Sequence, residues 1–367
     1  MPRRTDRKHG VLLLDTRERT PEHERAVHRK LAEHLAALLH TEVVASPTDE
    51  EEDLYYLPTA TLIDPRRYGQ LGIRSTDDFF GGLVAHPYMA TKAISHPLPA
   101  GAQYPNGWTD EFARQAGRAL LKGYTVFSIA DARAAATLLL RDGPLRLKPV
   151  RATAGRGQKV IASAAELEPE LSQLDNDELA LWGLVLEENL TDVETFSVGQ
   201  VQVAGIVSSY YGVQHCTLDH QGESVYGGSD LVVVRGDYER LLQLELDQPL
   251  RLAITQAQAY EQAAIASFPG FLASRRNYDV ARGLTAAGHV RSGVLEQSWR
   301  IGGASSAELL ALRAFADDPA LQRVRASTHE VFGDAVLPGD ATLFYQGDDL
   351  EVGRICKYAR IRDYDHP

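Results

Sequence analysis

Cysteine is almost missing from this chain. Cys216 and Cys356 are the only two in 367 residues. Two such distant residues make neither a disulfide framework nor a metal-ligand spacing. A cytoplasmic, thiol-reduced setting is the expectation. Positive charge is also scarce: 38 Lys and Arg face 50 Asp and Glu, for a net charge of −12. Bulk binding of nucleic acid needs a basic surface and is excluded, although a local basic pocket for phosphates is not. Long apolar runs are absent too. The longest obvious one, Leu179 to Leu186, falls far short of the ~20 residues of a membrane helix. Arg3, Arg4, Arg7 and Lys8 precede Val11 to Leu14 as in a signal peptide, but that run ends at Asp15 and reads as a first strand.

Several catalytic signatures are missing as well. No G-x-x-x-x-G-K-[ST] phosphate loop is present. No G-x-S-x-G elbow occurs, and Ser292-Gly293 lacks its context. The segment His23-Glu24-Arg25-Ala26-Val27-His28 resembles a zinc-protease motif. Its spacing of five sets the histidines about 140° apart on a helix, so they do not share a face.

What remains is ordinary globular composition, 44% hydrophobic and 24% charged, in a chain long enough for two or three domains. The strand Val11–Leu14, a helix with Leu31, Leu35, Leu38 and Leu39 on one face, and Val43–Val44 predict an α/β start, with Thr20 as N-cap and Pro21 as first helical residue. Residues 77–108 are crowded with Gly and Pro and predict a long irregular segment, either functional or a surface connection. A short helix over 110–121 follows. A compact α+β unit comes next: a strand at Thr125–Phe127, a helix over 129–141 capped by Ser128 and Asp131, strands at Leu145–Val150 and Lys159–Ala162, and a helix near Ala164–Leu174. Leu179–Glu188 and Glu194–Tyr211 read as strands. Beyond them the pattern predicts strands near Leu231–Val234, Tyr278–Val280 and Val294–Glu296. Helices are expected near Leu250–Ser267, Ala307–Phe315 and 318–331.

Three clusters carry chemistry. The first is Lys148-Pro149 at a strand end, followed by the small-residue loop Ala152 to Gln158 with Thr153, Gly155, Gly157 and Gln158. Backbone N–H groups of such a loop can approach phosphate oxygens, with a lysine beside them; a plain hairpin turn is the simpler alternative. The second is Glu187-Glu188-Asn189-Leu190 with Glu194 further on, acceptors suited to an amino group and to ribose hydroxyls, or a polar strand end. The third joins Asp279 to the run Glu296-Gln297-Ser298-Trp299-Arg300-Ile301-Gly302-Gly303. Two carboxylates on neighbouring strands repel unless a cation lies between them, and hard oxygen ligands suit Mg²⁺. A Glu296–Arg300 salt bridge is the alternative.

In order and spacing these clusters resemble the ATP-grasp superfamily: a strand lysine before a small-residue loop, a hinge with a glutamate, a hydrophobic residue three positions on and a glutamate seven positions on, then an aspartate and a strand approximating E-x-N-x-R. Within it, the whole chain looks most like a bacterial group of uncharacterised ATP-grasp-like proteins. The resemblance implies an α/β fold built of α+β subdomains. An N-terminal α/β domain would span residues 1–115, a central lid subdomain 124–190 and a C-terminal subdomain 191–367, with ATP between the last two. It implies that Lys148 and the loop residues Thr153, Gly155, Gly157 and Gln158 bind ATP phosphates. Glu187 would accept from the adenine amino group beside Glu188, Asn189 and Leu190, and Glu194 would hold the ribose. Asp279, Glu296 and Ser298 would hold Mg²⁺, with Ser298 standing where the family has asparagine.

The activity so implied is an ATP- and Mg²⁺-dependent carboxylate–amine ligase working through an acyl phosphate, with the 152–158 loop closing as a lid. A non-ligating kinase or phosphotransferase and a nucleotide-binding pseudoenzyme are the alternatives on the same fold. By placement, Arg291, Arg300 and Arg235 are catalytic candidates, with Arg114, Arg118, Arg275 and Arg276 behind them. The segment with His86, Thr91, Lys92 and His96 would form the other wall. The implied partners are a small carboxylic acid and a nucleophile, with a homodimer as the oligomer and neither nucleic acid nor membrane.

Overall fold

The computed structural model describes residues 8–17, 19–46, 53–151 and 157–364. The chain opens as expected, with Gly10–Leu14 (β1), helix α1 (Glu22–Leu38), Val43–Val44 (β2) and Leu54–Pro58 (β3). The strands pair in parallel in the order β2-β1-β3. Continuous apolar strands suit this arrangement, since a parallel sheet is covered on both faces. Helix α1 buries Leu31, Leu35 and Leu38. It begins one residue later than the sequence suggests, with Pro21 at the cap. The Thr20 hydroxyl is drawn instead to the Asp15 carboxylate, 3.1 Å away.

Strand β4 (Leu62–Ile63), helix α2 (Pro65–Gln70) and strand β5 (Gly82–Val84) lead into two 3₁₀ turns, Pro87–Ala90 and Lys92–Ser95. Irregular backbone was expected here, but this is no loose surface connection. Tyr88, Met89, Ala93 and Ile94 are buried in the largest apolar cluster. Helix α3 (Glu111–Ala116) follows.

The central unit is a four-stranded antiparallel sheet. It contains β6 (Gly123–Val126), helix α4 (Ile129–Leu139), β7 (Leu145–Pro149), β8 (Lys159–Ile161), helices α5 (Ala164–Leu171) and α6 (Asn176–Trp182), and β9 (Leu184–Glu188). Its strand order is β6-β9-β7-β8. Ser128 caps α4 by accepting from the Asp131 N–H at 3.1 Å. The strand expected over Leu179–Glu188 is shorter, because Leu179–Trp182 belong to α6. Asp175 caps α6 through the N–H groups of Asp177 and Glu178, both at 2.9 Å. Gly183, at φ +83°, then stops it. Its left-handed backbone suits glycine, and a Cβ would come within 2.9 Å of the Phe127 ring.

The remainder is an eight-stranded antiparallel sheet with helices on both faces. In chain order it comprises β10 (Thr191–Val203), β11 (Ile206–Leu218), β12 (Ser224–Arg235), helices α7 (Tyr238–Leu242) and α8 (Gln248–Ser267), and the short β13 (Leu272–Ala273), which joins β4 and β5. Then come β14 (Arg275–Leu284), β15 (Val290–Ser298), helix α9 (Ser305–Asp317), β16 (Arg323–Phe332), β17 (Ala341–Asp349) and β18 (Gly353–Asp363). The order is β15-β14-β10-β11-β12-β16-β18-β17. The single strand expected at Glu194–Tyr211 is two, turned at Ala204-Gly205, both with positive φ, as tight hairpins require. The helix expected near 318–331 is β16. Val324, Ala326 and Thr328 are buried at every second position, which is the period of a strand. The two faces are read from parity along β10: Val198 packs with Tyr260 of α8, whereas Val201 packs with Phe315 of α9 and with the N-terminal unit. No helix among the described residues is long and apolar enough to cross a membrane.

Candidate functional site

Lys148 lies on β7, inside the four-stranded sheet, and is only 1% exposed. A buried ammonium is costly unless it is paired and fully hydrogen-bonded. Its partner is Glu187 on the adjacent β9, with Nζ to Oε1 at 2.9 Å. The second carboxylate oxygen meets His96 Nε2 at 3.1 Å. Lys148 also donates to the Leu295 carbonyl, 3.0 Å away. That contact spans from the four-stranded sheet to the eight-stranded one. Burial alone would push the Glu187 carboxyl up. The Lys148 charge and the His96 contact outweigh it and bring it down to about 2.

Leu295 offers its carbonyl because of a β-bulge. On β14 and β15, Asp279 pairs with Glu296, but Val280 pairs with Val294. Leu295 is the extra residue, and such bulges re-aim side chains beside active sites. Val280 and Val294 face the core under α8. In an unbroken strand Glu296, two residues past Val294, would face that core too. The bulge turns it to the opposite face, opposite Asp279. Asp279 is half-buried and accepts from Gln214 Nε2 at 3.0 Å. Partial removal from water, together with the charge of Glu296, pushes its carboxyl up to about 7. Ser298 projects nearby, but its hydroxyl accepts from Arg275 Nη1 at 3.2 Å.

The irregular segment packs against these residues as a third element. Lys92, 4% exposed, forms an ion pair with Glu296 Oε2, and His96 reaches Glu187 as above. Gln297 donates to the Thr91 carbonyl, and Thr125 Oγ1 donates to the Ala93 carbonyl at 2.6 Å. The segment is thus tied to both sheets. Gly82 approaches Trp299 so closely that a Cβ would lie 2.5 Å from the Trp299 Cβ.

The arginines separate. Arg300 is half-buried beside this cleft, donates to the Ile301 carbonyl at 2.9 Å and has no ion-pair partner among the described residues. Burial, then the charge of Arg275, lowers its pKa, while Glu296 acts to raise it. Arg17, just past β1, lies within its electrostatic reach. Arg291 is drawn to the hinge, 3.3 Å from Glu188. Arg235 is turned away from the cleft and donates to the Phe315 and Pro319 carbonyls at the end of α9. Arg275 is committed to a buried pair with Glu308 at 2.8 Å, and Arg276 to Glu261 at 3.3 Å. Arg114 pairs with Glu111 on its own helix.

At the hinge, Arg146 donates to Asn189 Oδ1 at 2.8 Å and to Gln158 Oε1 at 3.4 Å. Leu190 is buried against Leu121 and Ala281, with Leu295 beside them. Glu194 is exposed and unpaired among the described residues. A cleft of about 290 Å³ opens here, lined by Lys122, Glu188, Asn189, His289 and Arg291. Gly157 is exposed with φ +69°. Thr153 and Gly155 lie outside the described residues.

Comparison with known proteins bears on this geometry. The family described as "Protein of unknown function (DUF3182)" matches residues 11–359. The chain belongs to that family. No curated protein matches it. Among solved structures, phosphoribosylamine–glycine ligase from Thermotoga maritima is similar over 96% of this chain and 92% of its own, with a TM-score of 0.50 and 13% identity. At that identity the likeness is one of fold. The DUF3182 chain is a mixed α/β protein with an ATP-grasp-like architecture.

Proposed function

We infer that this DUF3182 protein binds ATP with Mg²⁺ in the cleft between the four- and eight-stranded sheets and uses it to activate a carboxylate. The observation that supports this reading is the contact of Lys148 with the Leu295 carbonyl, which joins the two sheets one residue from the Asp279–Glu296 pair. Among the described residues no group of three His, Cys, Asp or Glu side chains could hold a metal. Two carboxylates suffice for Mg²⁺, which takes its other ligands from phosphate and water.

Bound Mg²⁺–ATP would supply a phosphoryl group for a substrate carboxylate, giving an acyl phosphate that an amine then opens. The chain's own residues position and neutralise. Lys148 would leave the Leu295 carbonyl for phosphate oxygens, while Glu187, already satisfied by Lys148 and His96, anchors the lysine instead of reading adenine. The Asn189–Leu190 backbone would take the base edge and Glu194 the ribose. Asp279 and Glu296 would hold the cation. Arg300 and Arg17 would face the acid. Residues 124–190 would move as a lid subdomain against 191–367, with 1–115 supplying the substrate wall.

The test is phosphate release across pools of carboxylic acids and amines. Release only when both are present supports ligation, whereas ADP formed with the phosphoryl group retained on the product and no free phosphate supports a kinase. Tight ATP binding with no turnover on any pool, unaffected by Asp279→Ala and Glu296→Ala, would sink the enzyme reading.

A further inference from the structure

Lys92 stands outside the motif pattern, yet its ammonium occupies one oxygen of Glu296. It is not a loose surface lysine. Its 3₁₀ turn is capped by Thr91, whose hydroxyl accepts from the Ala93 N–H at 3.2 Å. The same turn is held by Gln297 from β15 and by Thr125 from β6. The charge therefore sits at a fixed point.

Consider what a pair of divalent ions would need here. Two-metal sites hold their ions ~3.5–4 Å apart and share ligands between them. A shared Glu296 would have to offer both oxygens, but Oε2 is on Lys92. The next donor along β15 is Ser298, whose hydroxyl accepts from the Arg275 guanidinium. A second divalent ion would thus meet two fixed positive charges and one engaged hydroxyl. The Asp279 carboxylate and Glu296 Oε1 remain as ligands for a single ion.

We propose that Lys92 is a built-in monovalent cation standing in for a second metal, so that the nucleotide site takes one divalent ion, at Asp279 and Glu296. The inference rests on the nucleotide reading above and names the charge balance of that site. Lys92 neutralises one side of the phosphates and the single divalent ion the other.

The test counts Mn²⁺ bound per chain by electron paramagnetic resonance, using the full chain saturated with a β,γ-imido ATP analogue. One ion is expected for the wild type and for Lys92→Arg. Lys92→Met should bind two, or bind its first about tenfold more tightly, since a nearby like charge is gone. Two ions in the wild type overturn the proposal without any variant having to fold. An unchanged count and affinity in folded Lys92→Met, or in Lys92→Gln if Met does not fold, overturns it as well. If the analogue is not retained at all, the nucleotide reading falls by itself. The lysine is then read from Mn²⁺ titration without nucleotide, where the same tightening supports its role as a competing cation and its absence refutes it.

Discussion

Glu187 and Asp279 are both carboxylates on interior strands, and their surroundings drive them in opposite directions. Glu187 meets a lysine and a histidine, and its carboxyl is held down to about 2. Asp279 meets Glu296 across the ladder and is pushed up to about 7. Burial raises both; the sign of the neighbour decides. Glu187 has a cationic partner of its own, whereas the Arg275 and Lys92 charges that act on Asp279 are paired with Glu308 and Glu296. On the reading proposed above, the four-stranded sheet supplies a fixed cation and the eight-stranded sheet a place for a movable one.

The contrast breaks most sharply at Lys148. Lys148→Met leaves Glu187 buried without its cation, and should cost about 3–5 kcal/mol in urea unfolding. Lys148→Met with Glu187→Gln should recover much of that; equal losses in the single and double variants would show that the pair is not coupled. His96→Ala removes the second partner of Glu187, and about 1–3 kcal/mol is expected from the same measurement.

The pH dependences sharpen the comparison with opposite signs. Asp279 has a folded pKa above its unfolded one. Its contribution is full below about 4 and is lost as pH rises toward about 7. In EDTA, stability attributable to this group should therefore fall between those limits, and Asp279→Asn should flatten the slope. Glu187 runs the other way. Its stabilisation is present above its ordinary value of 4.5 and fades as pH falls toward about 2. An Asp279→Asn variant with an unchanged slope between pH 4 and 7 would remove the first half of the comparison. The smallest effect is expected at Arg235. Arg235→Ala should cost about 1 kcal/mol through the lost contacts at the α9 carboxyl end, and nucleotide affinity should not change.

Much of this was legible in the residues. Lys148, Glu187, Asp279 and Glu296 stand in motif order; the first two form an ion pair and the last two face each other across the β14–β15 ladder. Parallel strands, the Ser128 cap and helix α8 follow from local pattern. The failures have physical causes. Leu179–Trp182 is apolar enough for a strand, but Asp175 and Gly183 bracket it as a short helix. Within residues 318–331, Val324, Ala326 and Thr328 are buried with a period of two, and Arg323–Phe332 forms a strand where a helix was expected. Arg235 and Arg275 look like free cations in sequence, because a helix carbonyl or a distant Glu308 is invisible there. The ion pair of Lys92 with Glu296 joins residues 204 positions apart and leaves no local trace. Arg17, proposed above beside Arg300, pairs with Glu24 at 2.7 Å; it follows the carboxyl end of a parallel strand, where ligands of open α/β sheets gather.

The bulge at Leu295 has a consequence for chain length. Strand β15 is one residue longer than the ladder needs. Deleting Leu295 should bring Val294 and Glu296 into consecutive positions, leave Glu296 opposite Asp279, and remove the carbonyl that Lys148 holds together with the side chain packed beside Leu190. Inserting a residue there while the bulge persists turns Glu296 toward the apolar layer under α8; in a regular strand the same insertion moves Glu296 opposite Asn277. Either way the carboxylate leaves Asp279, so this point tolerates a loss and not a gain.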